Sequence, residues 1–294
     1  MIGDREADAV IGFRHELGLS GIIDVHTHFM PERVMRKVWE YFDSAGPLIG
    51  RRWPIAYRVD QHARLATLRE FGVRAFTSLA YPHKPEMASW LNDWTADFAA
   101  RTPDCLHTAT FYPEPDATRY VRTAIDSGAR IFKSHIQVGD YDPLDRQLSE
   151  VWDMLSQARI PVLIHCGSGP APGRFTGPGP IEHLLRRFPR LRLIVAHMGM
   201  PEYREFLDIA QRYDQVYLDT TMAFTDFIEA KDPFPCDERA RLAEVGERIL
   251  FGSDFPNIPY PYSHALHGLR RLELGDGWLR AVCHDNAARL FELS

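Results

Sequence analysis

Short apolar segments alternate with helix-forming segments eight times along this chain, and this alternation limits the folds open to it. The predicted strands are residues 21–29, 73–80, 105–112, 129–135, 160–165, 191–197, 216–221 and 249–253. Several are almost continuously apolar, as is typical of parallel strands that helices cover on both faces. Eight such units predict an α/β fold with a closed (β/α)8 barrel. The alternative is an open doubly wound sheet, but no strand is followed by Gly-x-Gly-x-x-Gly.

The chain length fits one such barrel, and we predict a single domain over residues 1–294. Residues 1–20 are expected to form a helical lead-in. Residues 30–62 form an insert after the first strand, and their aromatic side chains, including Trp39 and Trp53, argue against a disordered linker. We expect this insert to lie over the barrel opening like a lid and to make the barrel a distorted one.

Composition excludes several classes of partner. The net charge is -6 and no segment is strongly basic, so we expect no nucleic acid and no membrane partner. No apolar run approaches the roughly 18 residues that span a bilayer, and the first residues are polar rather than signal-like. The 4 cysteines form no Cys-x-x-Cys pair, which predicts reduced thiols and a cytoplasmic protein. Cys166 is expected to be a small buried side chain rather than a ligand.

Polar side chains end five of the predicted strands. The first strand ends in His26 and His28, which share a face because strand side chains alternate, and Asp24 lies on that face one step deeper. Strand five ends in His165, strand six in His197 and strand eight in Asp254. Strand four carries Lys133 and His135 on one face. In a parallel barrel these ends meet at one rim, so the pattern predicts a metal site there, whereas each histidine alone could be structural.

Four motifs, taken in order, resemble the amidohydrolase superfamily of metal-dependent TIM-barrel enzymes. They are Asp24-Val-His-Thr-His28, His165, His197 and Phe251-Gly-Ser-Asp254. The nearest group is the amidohydrolase-2 branch, which contains hydrolases, lactonases and relatives of aminocarboxymuconate semialdehyde decarboxylase. The resemblance runs from about Gly21 to the end, where Asn286-Ala-Ala-Arg-Leu-Phe291 is similar to the terminal helix of that branch.

The resemblance implies roles for individual residues. It assigns the metal ligands to His26, His28, His165 and Asp254, with Zn²⁺ expected and Mn²⁺ as the alternative. It makes His197 the residue that handles a proton. Lys133 is either a carboxylated lysine that bridges two metals or a free cation that binds a substrate carboxylate, and we favour one metal. His135 has no assigned role. A homodimer is expected on the same grounds.

The implied reaction is hydrolysis of a small-molecule amide, lactone or ester by water that the metal activates, with Asp254 and His197 as the catalytic residues. The alternative is a non-oxidative decarboxylase, a carbon–carbon lyase, that acts on an unsaturated or aromatic carboxylic acid. A barrel that only binds a metal or a partner is disfavoured because all the proton-handling residues are present. Arg174 is a candidate to clamp a substrate carboxylate, although a solvated surface arginine is the favoured alternative; Arg51, Arg52 and Trp53 are weaker candidates.

Overall fold

The computed structural model describes residues 3–293. Within them the chain forms two compact units, each described by itself below. The first unit contains residues up to 28, residues 33–76 and residues from 219 onward; the second contains residues 29–32 and 77–218. Both units consist of short strands and the helices that follow them. In the part of the chain described, no helix combines the length and the apolar character that crossing a membrane requires.

The strands are short and lie where apolar runs predicted them. They are β1 Ile22–Asp24, β2 Val73–Thr77, β3 Cys105–Leu106, β4 Thr108–Thr110, β5 Ile131–His135, β6 Val162–His165, β7 Leu193–Val195, β8 Val216–Asp219 and β9 Ile249–Leu250. The predicted strand 105–112 is therefore two pieces, β3 and β4. β1, β7 and β9 end before His26, His197 and Asp254, whereas β5 and β6 include the histidines at their ends.

The helices follow the strands in the predicted alternation. The first eight are α1 Gly3–Glu16, α2 Glu32–Ser44, α3 Gly46–Ile49, α4 Gln61–Glu70, α5 Ala88–Ala100, α6 Ala117–Asp126, α7 Ile136–Gly139 and α8 Ser149–Ala158. The others are α9 Pro178–Arg187, α10 Tyr203–Arg212, α11 Asp226–Glu229, α12 Arg239–Glu244, α13 Ser263–Arg270, α14 Asp276–Arg280 and α15 Asn286–Leu290. The end of the chain is not one continuous helix, because a π-helical turn, Ala281–Asp285, separates α14 from α15.

In the second unit, strands β4 to β7 pair in parallel in sequence order, and β7 also pairs with β8. The register places His135 of β5 opposite His165 of β6. Their side chains are buried, as are those of the strand residues beside them. This burial on both faces explains why β6 is apolar up to His165 and β7 is apolar throughout, whereas β5 carries the buried polar residues Lys133 and Ser134.

In the first unit, β1 pairs in parallel with β2. The segment that follows β1 then pairs with the segment that follows β9. Val25 N donates to Phe251 O at 3.0 Å, Asp254 N donates to His26 O at 2.8 Å, and His28 N donates to Phe255 O at 2.7 Å. These backbone bonds hold two sequence-distant polar segments side by side.

The insert of residues 30–62 is ordered and mostly helical, with α2 and α3 as its helices. Trp53 is buried and stacks on Phe42, with ring centroids 5.1 Å apart. Trp53 Nε1 donates to Asn257 O at 2.7 Å, and Trp39 Nε1 donates to Asn257 Oδ1 at 3.1 Å. The aromatic residues of the insert thus attach it to the segment after β9, whereas its role as a lid stays a prediction.

Candidate metal centre

Three of the predicted ligands, His26, His28 and Asp254, form one buried cluster in the first unit. Their candidate ligand atoms all lie within 4.8 Å of one another. Asp254 Oδ1 is 2.8 Å from His28 Nε2 and 3.5 Å from His26 Nε2. The two imidazole rings meet edge to face, with centroids 5.1 Å apart. Two imidazole nitrogens and a carboxylate oxygen therefore point at a common position.

The backbone explains why these side chains converge. The bonds between Asp254 and His26 and between His28 and Phe255 fix the separation of the two segments. Asp254 has φ 71°, in the left-handed region, which is uncommon for residues other than glycine and is concentrated at functional sites. Gly252 must lack a side chain, since a Cβ there would lie 2.7 Å from His26 Cβ and 2.2 Å from Thr221 Oγ1.

Asp219, at the end of β8, orients the His26 ring. His26 Nδ1 lies 2.8 Å from Asp219 Oδ2, and both side chains are almost completely buried. An ionised carboxylate only accepts hydrogen bonds, so Nδ1 carries the proton and the lone pair of Nε2 faces Asp254. A histidine that binds a metal is commonly held by such a carboxylate. Asp219 was not among the residues predicted for the site, although its place at a strand end was the available signal.

Asp24 acts as a connector beneath this cluster. Its carboxylate accepts hydrogen bonds from His26 N at 3.1 Å, Ser253 N at 3.1 Å and Tyr262 Oη at 3.0 Å. Burial raises the pKa of Asp24 to about 7, and these hydrogen bonds limit the rise. The prediction that Asp24 lies below the histidines is consistent with these contacts, which join the end of β1 to the segment after β9.

The other predicted residues lie in the second unit, where three histidines form a row. His135 stacks on His165 with centroids 4.1 Å apart, and the His165 and His197 centroids are 4.7 Å apart. His165 Nε2 lies 3.0 Å from Gly169 O, so Nε2 carries the proton and Nδ1 is the nitrogen with a lone pair. His197 adopts φ 55° in the turn after β7. Its assignment, and that of His165 as a fourth ligand, stay predictions.

Lys133 and Arg174 have different environments. Lys133 lies in β5 and is fully buried, which is costly for an ammonium group unless it is compensated. Arg174 is exposed in the loop after β6, with its guanidinium carbon 4.9 Å from the centre of the Phe175 ring. A role for Arg174 at the substrate stays a prediction.

The donor set of the first unit fits a divalent metal. Imidazole and carboxylate are ligands of Zn²⁺ and of neighbouring transition metals, and catalytic zinc sites use three protein ligands with a further position open. Burial of the cluster also suits a bound cation, because the desolvated Asp254 carboxylate then gains a compensating charge. His26, His28 and Asp254 would hold the metal.

A parallel α/β chain with this His-His-Asp cluster has the architecture of a metal-dependent barrel enzyme. The family model described as amidohydrolase matches residues 23–293, and the chain belongs to this family. This confirms the resemblance that the motifs indicated. No curated protein sequence is significantly similar to the chain.

Solved structures similar to this chain are TIM-barrel enzymes and relatives. An uncharacterised TIM-barrel protein from Bordetella bronchiseptica has 20% identity and a TM-score of 0.72, with 93% of this chain and 99% of that chain covered. A 5-carboxyvanillate decarboxylase from Novosphingobium aromaticivorans, complexed with manganese and 4-hydroxy-3-methoxy-5-nitrobenzoic acid, has 15% identity and a TM-score of 0.63, covering 94% and 97%. A candidate 2-pyrone-4,6-dicarboxylic acid hydrolase from Pseudomonas putida has 17% identity and a TM-score of 0.62, covering 94% and 98%. These likenesses confirm the predicted (β/α)8 fold.

Proposed function

We propose that this protein is a metal-dependent hydrolase of a small-molecule amide, lactone or ester. The observation that carries the proposal is the convergence of His26 Nε2, His28 Nε2 and Asp254 Oδ1 in a buried position. A divalent metal, Zn²⁺ or Mn²⁺, would act there as a Lewis acid and bring the pKa of a water molecule toward about 7. We favour a single metal, with His165 as a further ligand.

The residues of the chain would divide the proton transfers between them. Asp254 would accept a proton from the attacking water and return it to the leaving group, since a carboxylate can serve as base and then as acid. His26, oriented by Asp219, would keep its position while this occurs. His197 would donate a hydrogen bond to the developing oxyanion. Lys133 and Arg174 would bind a carboxylate of the substrate.

Decarboxylation is the second candidate function, and likeness to a 5-carboxyvanillate decarboxylase supports it. In that reaction His197 or Asp254 would deliver a proton to the carbon that bears the carboxylate, and the carbon–carbon bond would then break with release of CO2. The two reactions use the same residues, so their products, rather than the site geometry, distinguish them.

The test combines metal analysis with product detection. The purified protein is expected to contain about one divalent metal per chain and to lose activity when a chelator removes it. It is then assayed on a panel of lactones, esters and amides for acid release, and on aromatic and unsaturated acids for CO2. Acid release without CO2 supports the hydrolase, and CO2 release supports the lyase. A metal-loaded protein that acts on neither panel contradicts both.

The remaining proposals concern the location, the binding partners and the oligomeric state of the protein. We propose a cytoplasmic protein, on the absence of paired cysteines, and a small molecule as its substrate. We expect neither nucleic acid nor membrane lipid to bind, because the net charge is -6. A homodimer is proposed from family resemblance, and light scattering of the purified protein measures it.

A further inference from the structure

The imidazole ring of His135 lies flat against the ring of His165. The two ring centroids are 4.1 Å apart, and the ring planes differ by 16°. The strands β5 and β6 pair in parallel with these two residues opposite each other, so the contact is part of the sheet register. Both side chains are buried, with His135 at 9% exposure and His165 at 7%. One face of the His165 ring is therefore covered by a second imidazole.

His135 is itself held in place by two further contacts. Val138 N donates a hydrogen bond to His135 Nδ1 at 3.3 Å, which makes His135 the N-cap of α7. The Tyr81 ring packs against the His135 ring, with centroids 4.8 Å apart. Capping does not require an imidazole, because asparagine, aspartate, serine and threonine are the usual N-cap residues. What an imidazole adds at this position is a flat ring that stacks on His165.

The ring of His165 needs such support if its direction is to be fixed. The torsion that turns an imidazole about its bond to Cβ is broad, so the backbone alone leaves the ring orientation loose. The hydrogen bond between His165 Nε2 and Gly169 O, 3.0 Å long, fixes one edge of the ring. Gly169 is fixed in turn, because its N–H donates to Met200 O at 2.9 Å. Stacking on His135 then fixes the plane, and an edge and a plane together set the direction of Nδ1.

We propose that His135 is a positioning residue that holds His165 Nδ1 in a fixed direction for metal binding. This inference rests on the proposed function, in which His165 is a further metal ligand. A ligand that is ordered before the metal arrives loses less side-chain freedom on binding, so the metal binds more tightly. His135 acts through van der Waals contact with the ring of His165 and does not bind the metal itself.

Two substitutions at His135 separate the function of the ring from that of the cap. His135→Phe keeps a flat ring but offers no acceptor to Val138 N, whereas His135→Asn keeps an acceptor and removes the ring. The affinity of each protein for Co²⁺ is measured by competition with a chromogenic chelator. We expect His135→Asn to bind Co²⁺ about 10- to 100-fold more weakly than the wild-type protein, and His135→Phe to stay within about threefold of it. An unchanged affinity in His135→Asn, or an equal loss in both variants, overturns the proposal.

A double-mutant cycle shows whether His135 acts through His165. His165→Ala alone is expected to weaken Co²⁺ binding, because it removes a proposed ligand. In that background His135→Asn is expected to cause no further loss, since the ring that His135 positions is gone. A loss of the same size in both backgrounds overturns the proposal, and so does a His165→Ala protein that binds Co²⁺ like the wild type. The cycle decides the question even if the larger ring of His135→Phe prevents folding.

Spectroscopy and stability distinguish positioning from a general loss of structure. The visible absorption bands of bound Co²⁺ report its ligands and their geometry, so we expect them to change in His135→Asn and to persist in His135→Phe. The Tm of the metal-free proteins reports on folding alone. His183→Asn, at an exposed position of α9, is the matched control and is expected to keep affinity, spectrum and Tm. A lower Tm in His135→Asn with the wild-type affinity and spectrum would assign His135 a structural role and overturn the proposal.

The same preparations report separately on the proposed function. Turnover on the hydrolase and lyase panels is measured for the wild-type protein before the variants are compared. A protein that binds metal and turns over a substrate, but whose affinity is unchanged in His135→Asn, overturns the positioning role alone. A protein whose variants show the expected affinities but that turns over no substrate retains the positioning role and contradicts the proposed function. A protein that binds no Co²⁺ contradicts both.

Discussion

Single residues decide what the proposed metal centre can hold, and Asp219 is the clearest case. Its carboxylate fixes the tautomer of His26 through a contact of 2.8 Å in a fully buried setting. Polar residues at strand ends predicted His26, His28 and Asp254 as ligands, and the structure brings these three side chains together, while their role as ligands stays a prediction. Asp219 ends a strand too, but an aspartate followed by two threonines also fits an ordinary turn, so the sequence did not distinguish the two.

Asp219→Asn is expected to weaken metal binding by about 10- to 100-fold, because the amide no longer requires a proton on His26 Nδ1. Competition with a chromogenic chelator measures the affinity. Asp153→Asn, at an exposed position of α8, is the matched control and is expected to bind metal like the wild-type protein. An unchanged affinity in Asp219→Asn would show that the pair does not orient His26.

His197→Ala separates catalysis from metal binding. If His197 acts only on the substrate, kcat is expected to fall about 10²- to 10⁴-fold while the metal content of the protein persists. Mass spectrometry of the metal and steady-state kinetics give the two numbers. His183→Ala, on the exposed face of α9, controls for the loss of an imidazole. Loss of metal together with activity would favour a two-metal site instead.

At the scale of elements, two polar segments that follow β1 and β9 form the site together. Apolar runs located both strands in the sequence, but could not show where each strand ends, because the last residues exchange sheet pairing for other hydrogen bonds. The helices at the end of the chain show a similar limit of prediction from sequence. Asn286 Nδ2 donates to Gly246 O at 2.7 Å and to Ile249 O at 2.8 Å at the junction where the π-helical turn gives way to α15. The helical periodicity of a sequence does not reveal such tertiary contacts.

Gly252→Ala tests the close packing of these segments. The added Cβ would meet Thr221 Oγ1 and His26 Cβ at distances below 3 Å, at 2.2 and 2.7 Å. We expect a loss of about 1–3 kcal/mol in the free energy of unfolding and weaker metal binding, since His26 must shift. Urea denaturation and chelator competition measure both. Gly179→Ala, in α9 with no neighbour within 4 Å of the added Cβ, is expected to be neutral or stabilising. Equal stability of the two variants would contradict the packing argument.

At the scale of the whole molecule, the number of βα units and their parallel order could be read from the sequence, because eight apolar strands alternate with helices. The family match over residues 23–293 and the similar TIM-barrel structures confirm that reading. The individual helices differ in part from the prediction. Helix α13 was not predicted, because its segment follows the Pro-rich stretch 256–261 and its eight residues give a weak periodic signal. Substrate identity depends on loop side chains that no periodicity describes.

The single-domain prediction leads to an expectation for unfolding. The first unit is discontinuous in sequence, because residues 77–218 separate two of its parts. We therefore expect one cooperative transition, with tryptophan fluorescence and far-UV circular dichroism giving coincident urea midpoints. Two separated transitions would contradict the prediction of one domain over residues 1–294.

We propose that side chains from opposite ends of the chain bind one metal ion. Anomalous diffraction from crystals grown with Zn²⁺ tests it most directly. We predict one strong peak at about 2.0–2.2 Å from His26 Nε2, His28 Nε2 and an Asp254 carboxylate oxygen. A flat anomalous map at this cluster, or a peak bound only to other residues, would contradict the account.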